Sequence, residues 1–377
     1  MTQDGIAGAQ ALRSERLEAF LAQDPENPSL LLDTADAALG DGRTDLVEHL
    51  VARLGALGPL PPQAMHIDGM AAMQRLDWSR AAERFETLLD QGHDAPPVRF
   101  NLAWSLAMEG KFESALDRID EATSDALSQA AQLEIQLRHQ LGEFEAAGER
   151  ARQLLAIHPD HPGLNAVVST LALDIEDEAL AARAAAAGGD HPDALVTRGT
   201  LALADESVDQ AAPLFDAALA RAPQSPRALI GRGLVRLLRG DRAASAGDLD
   251  KAAELFGDHL GSWIAAGWAH LLAGDTALAR ARFAHALSLD DGFAESHGSL
   301  GVIDILEGRV AEGEREIAIA QRLDRSSFAA AFGSILLAAG RSDTETARRI
   351  SERAITAPID AQGRTIADAI ARMGIGG

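Results

Sequence analysis

A 34-residue recurrence constrains this chain more than any single motif. Set "GWAHLLAGDTALARARFAHAL" (267–287) beside "GVIDILEGRVAEGEREIAIAQ" (301–321). Gly267 then falls on Gly301, Gly274 on Gly308, Phe283 on Ile317 and Ala286 on Ala320. The first column runs back through Gly233 and Gly199 and forward to Ile335. It continues through Asn165, Ile135, Ala103, Gly69 and Ala35, with two shortened repeats in the centre. A second column, 12 residues on, is mostly small: Ala81, Ala115, Ala147, Ala211, Ser245, Ala279 and Gly313, with Val47 and Asp177 departing. A chain of this kind buries each unit against its neighbours instead of around one central core.

The local signals say that each unit is a pair of helices. Small residues at fixed positions in successive helices let their axes approach to about 8–10 Å. Gly42, Gly110, Gly142, Gly240, Gly274 and Gly308 stand between the paired helices, where a left-handed residue ends the first of them. Prolines in "DPENP" (24–28), "HPDHP" (158–162) and "APQSP" (222–226) open the following helix. Composition agrees: 47% of the 377 residues are hydrophobic, yet aromatics are only 4% and tyrosine is absent. Alanine supplies much of that fraction, a strong helix former that fills little core volume. The expected class is all-α, an α-solenoid.

With these residues in place, the chain resembles the tetratricopeptide repeat (TPR) family. That family's pattern of Trp, Leu, Gly, Tyr, Gly, Ala, Phe, Ala and Pro falls on Trp263, Ala266, Gly267, His270, Gly274, Ala279, Phe283, Ala286 and Asp291. The resemblance spans about ten repeats and implies a right-handed solenoid with terminal capping helices. The expected division is an N-terminal cap (1–27), an arm (28–160), a degenerate central repeat acting as a hinge (161–191), a second arm (192–360) and a C-terminal cap (361–377). The central repeat is expected to be degenerate because Asp177 occupies a small-residue position and no glycine marks its turn.

The net charge of −23 repels phosphate backbones and anionic leaflets, so neither nucleic acid nor membrane insertion is expected. Without cysteine there is no disulfide, thiolate nucleophile or thiolate metal site. The start "MTQDGIAGAQALRSERLEAF" lacks a basic region followed by an apolar one, and a cytoplasmic location is expected. His158 and His161 flank Asp160 like a ligand set, but they coincide with a helix-opening turn, and turn chemistry is the expected role. No catalytic motif or paired-carboxylate constellation stands out, so no catalysis, cofactor or metal is expected.

The resemblance further implies that the first helix of each repeat lines a concave groove. The corresponding positions are Met70, Met73, Phe100 and Trp104 in the N-terminal arm. In the C-terminal arm they are Leu234, Ile264, Trp268, Leu271, Val302, Ile305 and Phe332. Relatives that grip a peptide's terminal carboxylate place Lys and Asn there; here the positions are apolar and only Asn101 matches. The expected activity is a protein-binding scaffold or adaptor for a hydrophobic or amphipathic segment with a basic flank. The alternatives are a self-associating homo-oligomer, or an accessory subunit delivering substrate to a separately encoded peptide-modifying or biosynthetic enzyme. Trp263 occupies the family's packing position and Trp268 the groove position, so Trp104→Ala and Trp268→Ala are expected to cost binding and Trp263→Ala stability.

Overall fold

The computed structural model describes residues 13–356, and among these every regular element is a helix. The expected C-terminal cap lies outside the described residues; of the N-terminal one, residues 13–21 form a helix. Ten first helices begin at Pro28, Pro62, Pro96, Ser128, Pro162, Pro192, Pro226, Leu260, Ala294 and Phe328, at spacings of 34 with one of 32 and one of 30. Each is followed by a second helix, such as Thr276–Leu289 after Leu260–Ala273. The chain divides between Ile175 and Glu176 into two compact units.

The helix starts correct the register of one repeat. Within Pro162–Asp174 the residue equivalent to Gly267 is Ser169, not Asn165, and the small residue of the next helix is Ala181, not Asp177. Both Ser169 and Ala181 are fully buried. Asp177 is instead the N-cap of Glu178–Ala187, its carboxylate accepting from the Leu180 N–H at 3.0 Å. Each shortened spacing marks a defect in a second helix. The one after Pro96–Met108 is broken into Phe112–Asp117 and Glu121–Ala126, restarted by Asp120 accepting from the Thr123 N–H at 2.8 Å. The one after Pro162–Asp174 has only 10 residues.

A left-handed residue closes the first helix of every repeat, seven positions after the glycine column. Six are the glycines named above; the others are Leu76, Glu176, Glu206 and Ser342, with φ of 61°, 57°, 59° and 58°. A residue with a Cβ pays about 1–2 kcal/mol there. The glycine column itself answers to a different demand. A Cβ on Gly69 or Gly199 would lie 2.8 Å from Phe85 or Phe215, both fully buried in the partner helix. These rings fill the space that the missing Cβ leaves, and alanines complete the contact.

Buried carboxylates tie the paired helices together. Asp68, 1% exposed, accepts from Arg80 (2.8 Å) and Arg84 (2.6 Å). Glu134 accepts from Arg138 (3.1 Å) and Arg150 (3.2 Å). In the repeat that opens at Pro226 the polarity reverses: Arg232 stands where Asp68 and Glu134 stand, and Asp248 where Arg84 and Arg150 stand, bonded at 2.8 Å.

Candidate functional site

In the first unit, four first helices are chained side by side through named contacts. Gln74 on Pro62–Gln74 donates to the Leu39 carbonyl on Pro28–Gly40 at 3.4 Å. The Asn101 amide on Pro96–Met108 donates to the Met70 sulfur at 3.3 Å. Leu133 and Leu137 of Ser128–Gln140 share a core cluster against which Met70, Met73, Phe100 and Trp104 pack. All four of those predicted site residues are half-buried, with Phe100 and Trp104 tilted against each other at 6.0 Å. His66, one turn before Met70, sits edge-on to Phe85 at 5.7 Å, and burial holds its imidazole pKa below the usual value. The arrangement leaves two thioethers and two aromatic rings partly open along neighbouring helices.

In the second unit the predicted residues divide. Leu234 is 39% exposed, and Trp268, Leu271, Ile305 and Phe332 are half-buried. Ile264 and Val302 are not available to a partner: they are 8% and 0% exposed. Val302 lies beneath the helix Phe328–Gly340, a methyl 3.5 Å from where a Cβ on Gly333 would lie, while the close approach that needs a glycine at 333 is to Ile317. Ile264 is absorbed into the core around Phe283.

Trp268 is less free than its position in the sequence implies. Its ring stands edge-on to Phe283 of its own repeat at 5.8 Å, and to Phe328 and Phe332 two repeats further on at 6.1 and 5.9 Å. Phe328 and Phe332 stack on each other at 6.4 Å, and Phe328 stays 54% exposed. This four-ring cluster was missed from the sequence, because Phe328 and Phe332 look like neighbours of Trp268 only once the helices between them are placed. Trp263 is buried, as its packing position implies, with its indole N–H donating to the Gly257 carbonyl at 2.6 Å.

Three of the histidines, His158, His161 and His259, hold helix ends and turns. His161 Nδ1 accepts from the Leu164 N–H at 3.0 Å, and His259 Nδ1 from the Ser262 N–H at 3.2 Å, both as helix N-caps. The His158 ring donates to the Ser124 carbonyl at 2.9 Å. Among the described residues no group of three or more His, Asp or Glu side chains is arranged to hold a metal. None of the described helices is long and apolar enough to cross a membrane.

A tetratricopeptide repeat model matches residues 69–131 and 196–261. Those two segments carry tetratricopeptide repeats. Among solved structures, this repeat array is similar to that of the APC/C hetero-tetramer Cut9–Hcn1, at 11% identity over 85% of this chain and 62% of that one, with a TM-score of 0.55. The chain thus spans less than two thirds of that relative. It is also similar to a human IFIT1 dimer with m7Gppp-AAAA, at 12% identity over 90% of this chain and 93% of that one, with a TM-score of 0.51. At such identities the likeness is one of fold. No curated protein matches the sequence.

Proposed function

We propose that the chain is a non-catalytic scaffold whose first-helix faces dock an apolar or amphipathic segment of a protein partner. The observation that carries this reading is the row of half-buried Met70, Met73, Phe100 and Trp104 on adjoining helices of one compact unit. Covering one indole removes about 150–250 Å² from water, worth roughly 4–6 kcal/mol gross at about 25 cal/mol/Å² before ordering costs. Methionine adds a surface that adapts to the partner's shape. The RNA cap named with the IFIT1 structure is a poor guide to this chain, whose net charge of −23 repels phosphate.

Self-association is the second reading, favoured by Phe328, a large ring left 54% exposed at the start of an otherwise apolar helix. Light scattering separates the two: a monomer at micromolar concentration counts against an obligate oligomer. Trp104→Ala is the cleaner test of docking. It is expected to weaken capture of an apolar peptide at least 10-fold while lowering the melting temperature by only a few degrees. Trp268→Ala removes three ring contacts and is expected to cost stability as well. A loss of about 3 kcal/mol on Trp104→Ala, as for core truncations, would make Trp104 a packing residue and remove the anchor.

A further inference from the structure

We propose that the first unit's docking face is polar in the directional sense: it takes an apolar segment with Lys or Arg at one end, and that end lies on the helix Pro28–Gly40. The proposal rests on the docking reading above and adds to it the chemistry and direction of the occupant. The residues that occupy the same register position on the four adjoining first helices are Asp36, Met70, Trp104 and Gln136. Along the face the surface therefore changes from carboxylate, through thioether and indole, to amide.

The acidic end is open. Asp36 and Asp33 are both exposed and lie one helical turn apart on the same side. Asp36 pairs with Arg13, 3.9 Å away, with both side chains more than half exposed. Such a pair is readily exchanged for a partner's cation. The surrounding field has the same sign: residues 1–175 carry 28 Asp and Glu against 13 Lys and Arg. At the other end the charges are already consumed. Glu134 is enclosed by Arg138 and Arg150, and His139 meets Asp174 at 2.7 Å, leaving Gln136 exposed to offer an amide. A basic side chain gains most at the Asp36 end, and the apolar residues that follow it then cover Met70, Phe100 and Trp104.

The test is selection of a displayed random 16-residue peptide library on the whole protein, on Trp104→Ala and on an Asp33→Lys/Asp36→Lys variant. Both aspartates are exposed, so the variant keeps the fold. The expected winners carry an apolar core with Lys or Arg on one side only. A synthetic winner is expected to bind the variant about 10-fold more weakly, with a flatter salt dependence. A photo-crosslinker at its basic end is expected to mark Pro28–Gly40. Winners with neutral or acidic flanks, undiminished binding to the variant, or a crosslink to Ser128–Gln140 would each overturn the direction while leaving docking intact. If Trp104→Ala selects the same sequences as the parent, docking on this face fails and the direction fails with it. A dimer that dissociates on Trp104→Ala would assign the face to a second copy of the chain.

Discussion

Gly267→Ala sets two effects of known size against each other. In a helix interior, replacing glycine by alanine is worth about 1 kcal/mol in favour of the folded state. At Gly267, in the middle of Leu260–Ala273, the new methyl would lie 2.5 Å from Phe283 Cδ1 and closer still to Cε1. Carbon atoms in contact prefer about 3.5–4.0 Å, so the ring must retreat by roughly 1 Å or more. Phe283 is fully buried and has nowhere to go without moving the partner helix. Overpacking of this kind costs about 1–3 kcal/mol. The upper end applies here, so the net expectation is destabilisation by about 2 kcal/mol. Gly247, mid-helix in Arg242–Phe256 with nothing within 4 Å of its would-be Cβ, supplies the control. There only propensity acts, and Gly247→Ala is expected to stabilise by about 1 kcal/mol. Urea denaturation followed by circular dichroism reads both, compared as shifts of the midpoint because repeat arrays need not unfold in one step. Phe283→Leu should rescue part of the Gly267→Ala loss, since Leu249 occupies the equivalent place beside Gly233. A Gly267→Ala midpoint at or above the parent's would refute the close-approach argument.

Other expectations follow from the same geometry. Leu76, left-handed at φ 61° and 68% exposed, should give way to glycine with a gain of about 0.5–1 kcal/mol, measured as a higher urea midpoint. Asp248→Asn, which strands Arg232 and Arg236 beside a nearly buried site, should cost about 3 kcal/mol. Asp209→Asn, whose partner Arg239 is 2.6 Å away but whose own side chain is 95% exposed, should cost under about 0.5 kcal/mol by the same melt. For His66 the folded pKa lies below the ordinary 6.5, so the unfolded chain binds the proton first as pH falls. The stability contributed by the neutral ring is complete above 6.5 and is lost as pH drops through that value towards the folded one. His66→Gln should therefore show a smaller fall in melting temperature between about pH 7 and pH 5 than the parent.

The helix pairs were legible because their spacing is repeated many times, and repetition survives individual departures. The register at residues 162–174 was not, because Asn165 and Ser169 are four apart, lie on the same helix face and are both compact polar residues. Only the helix bounds choose between them. Left-handed turns at Leu76, Glu176, Glu206 and Ser342 carry no glycine and so gave no signal. For the candidate face, an apolar residue at the groove register says which way a side chain points and nothing about what closes over it. Val302 and Leu234 read alike in sequence; the helix that covers Val302, Phe328–Gly340, belongs to the next repeat.

The reversed ion pairs carry a consequence for assembly of the chain on itself. Near-identical modules are prone to pair with the wrong neighbour while folding. If the helix Pro226–Leu238 met Trp78–Asp90 in place of its own partner, Arg232 would face Arg84, both half-buried. Swapping the other halves would set Asp68 against Asp248. Either mistake brings like charges together without a counter-ion, and the two aspartates would meet almost out of reach of water, at a cost of several kcal/mol. The reversed polarity of the Arg232–Asp248 pair thus penalises exchange of its helices with those that carry the Asp68–Arg84 or Glu134–Arg150 pair.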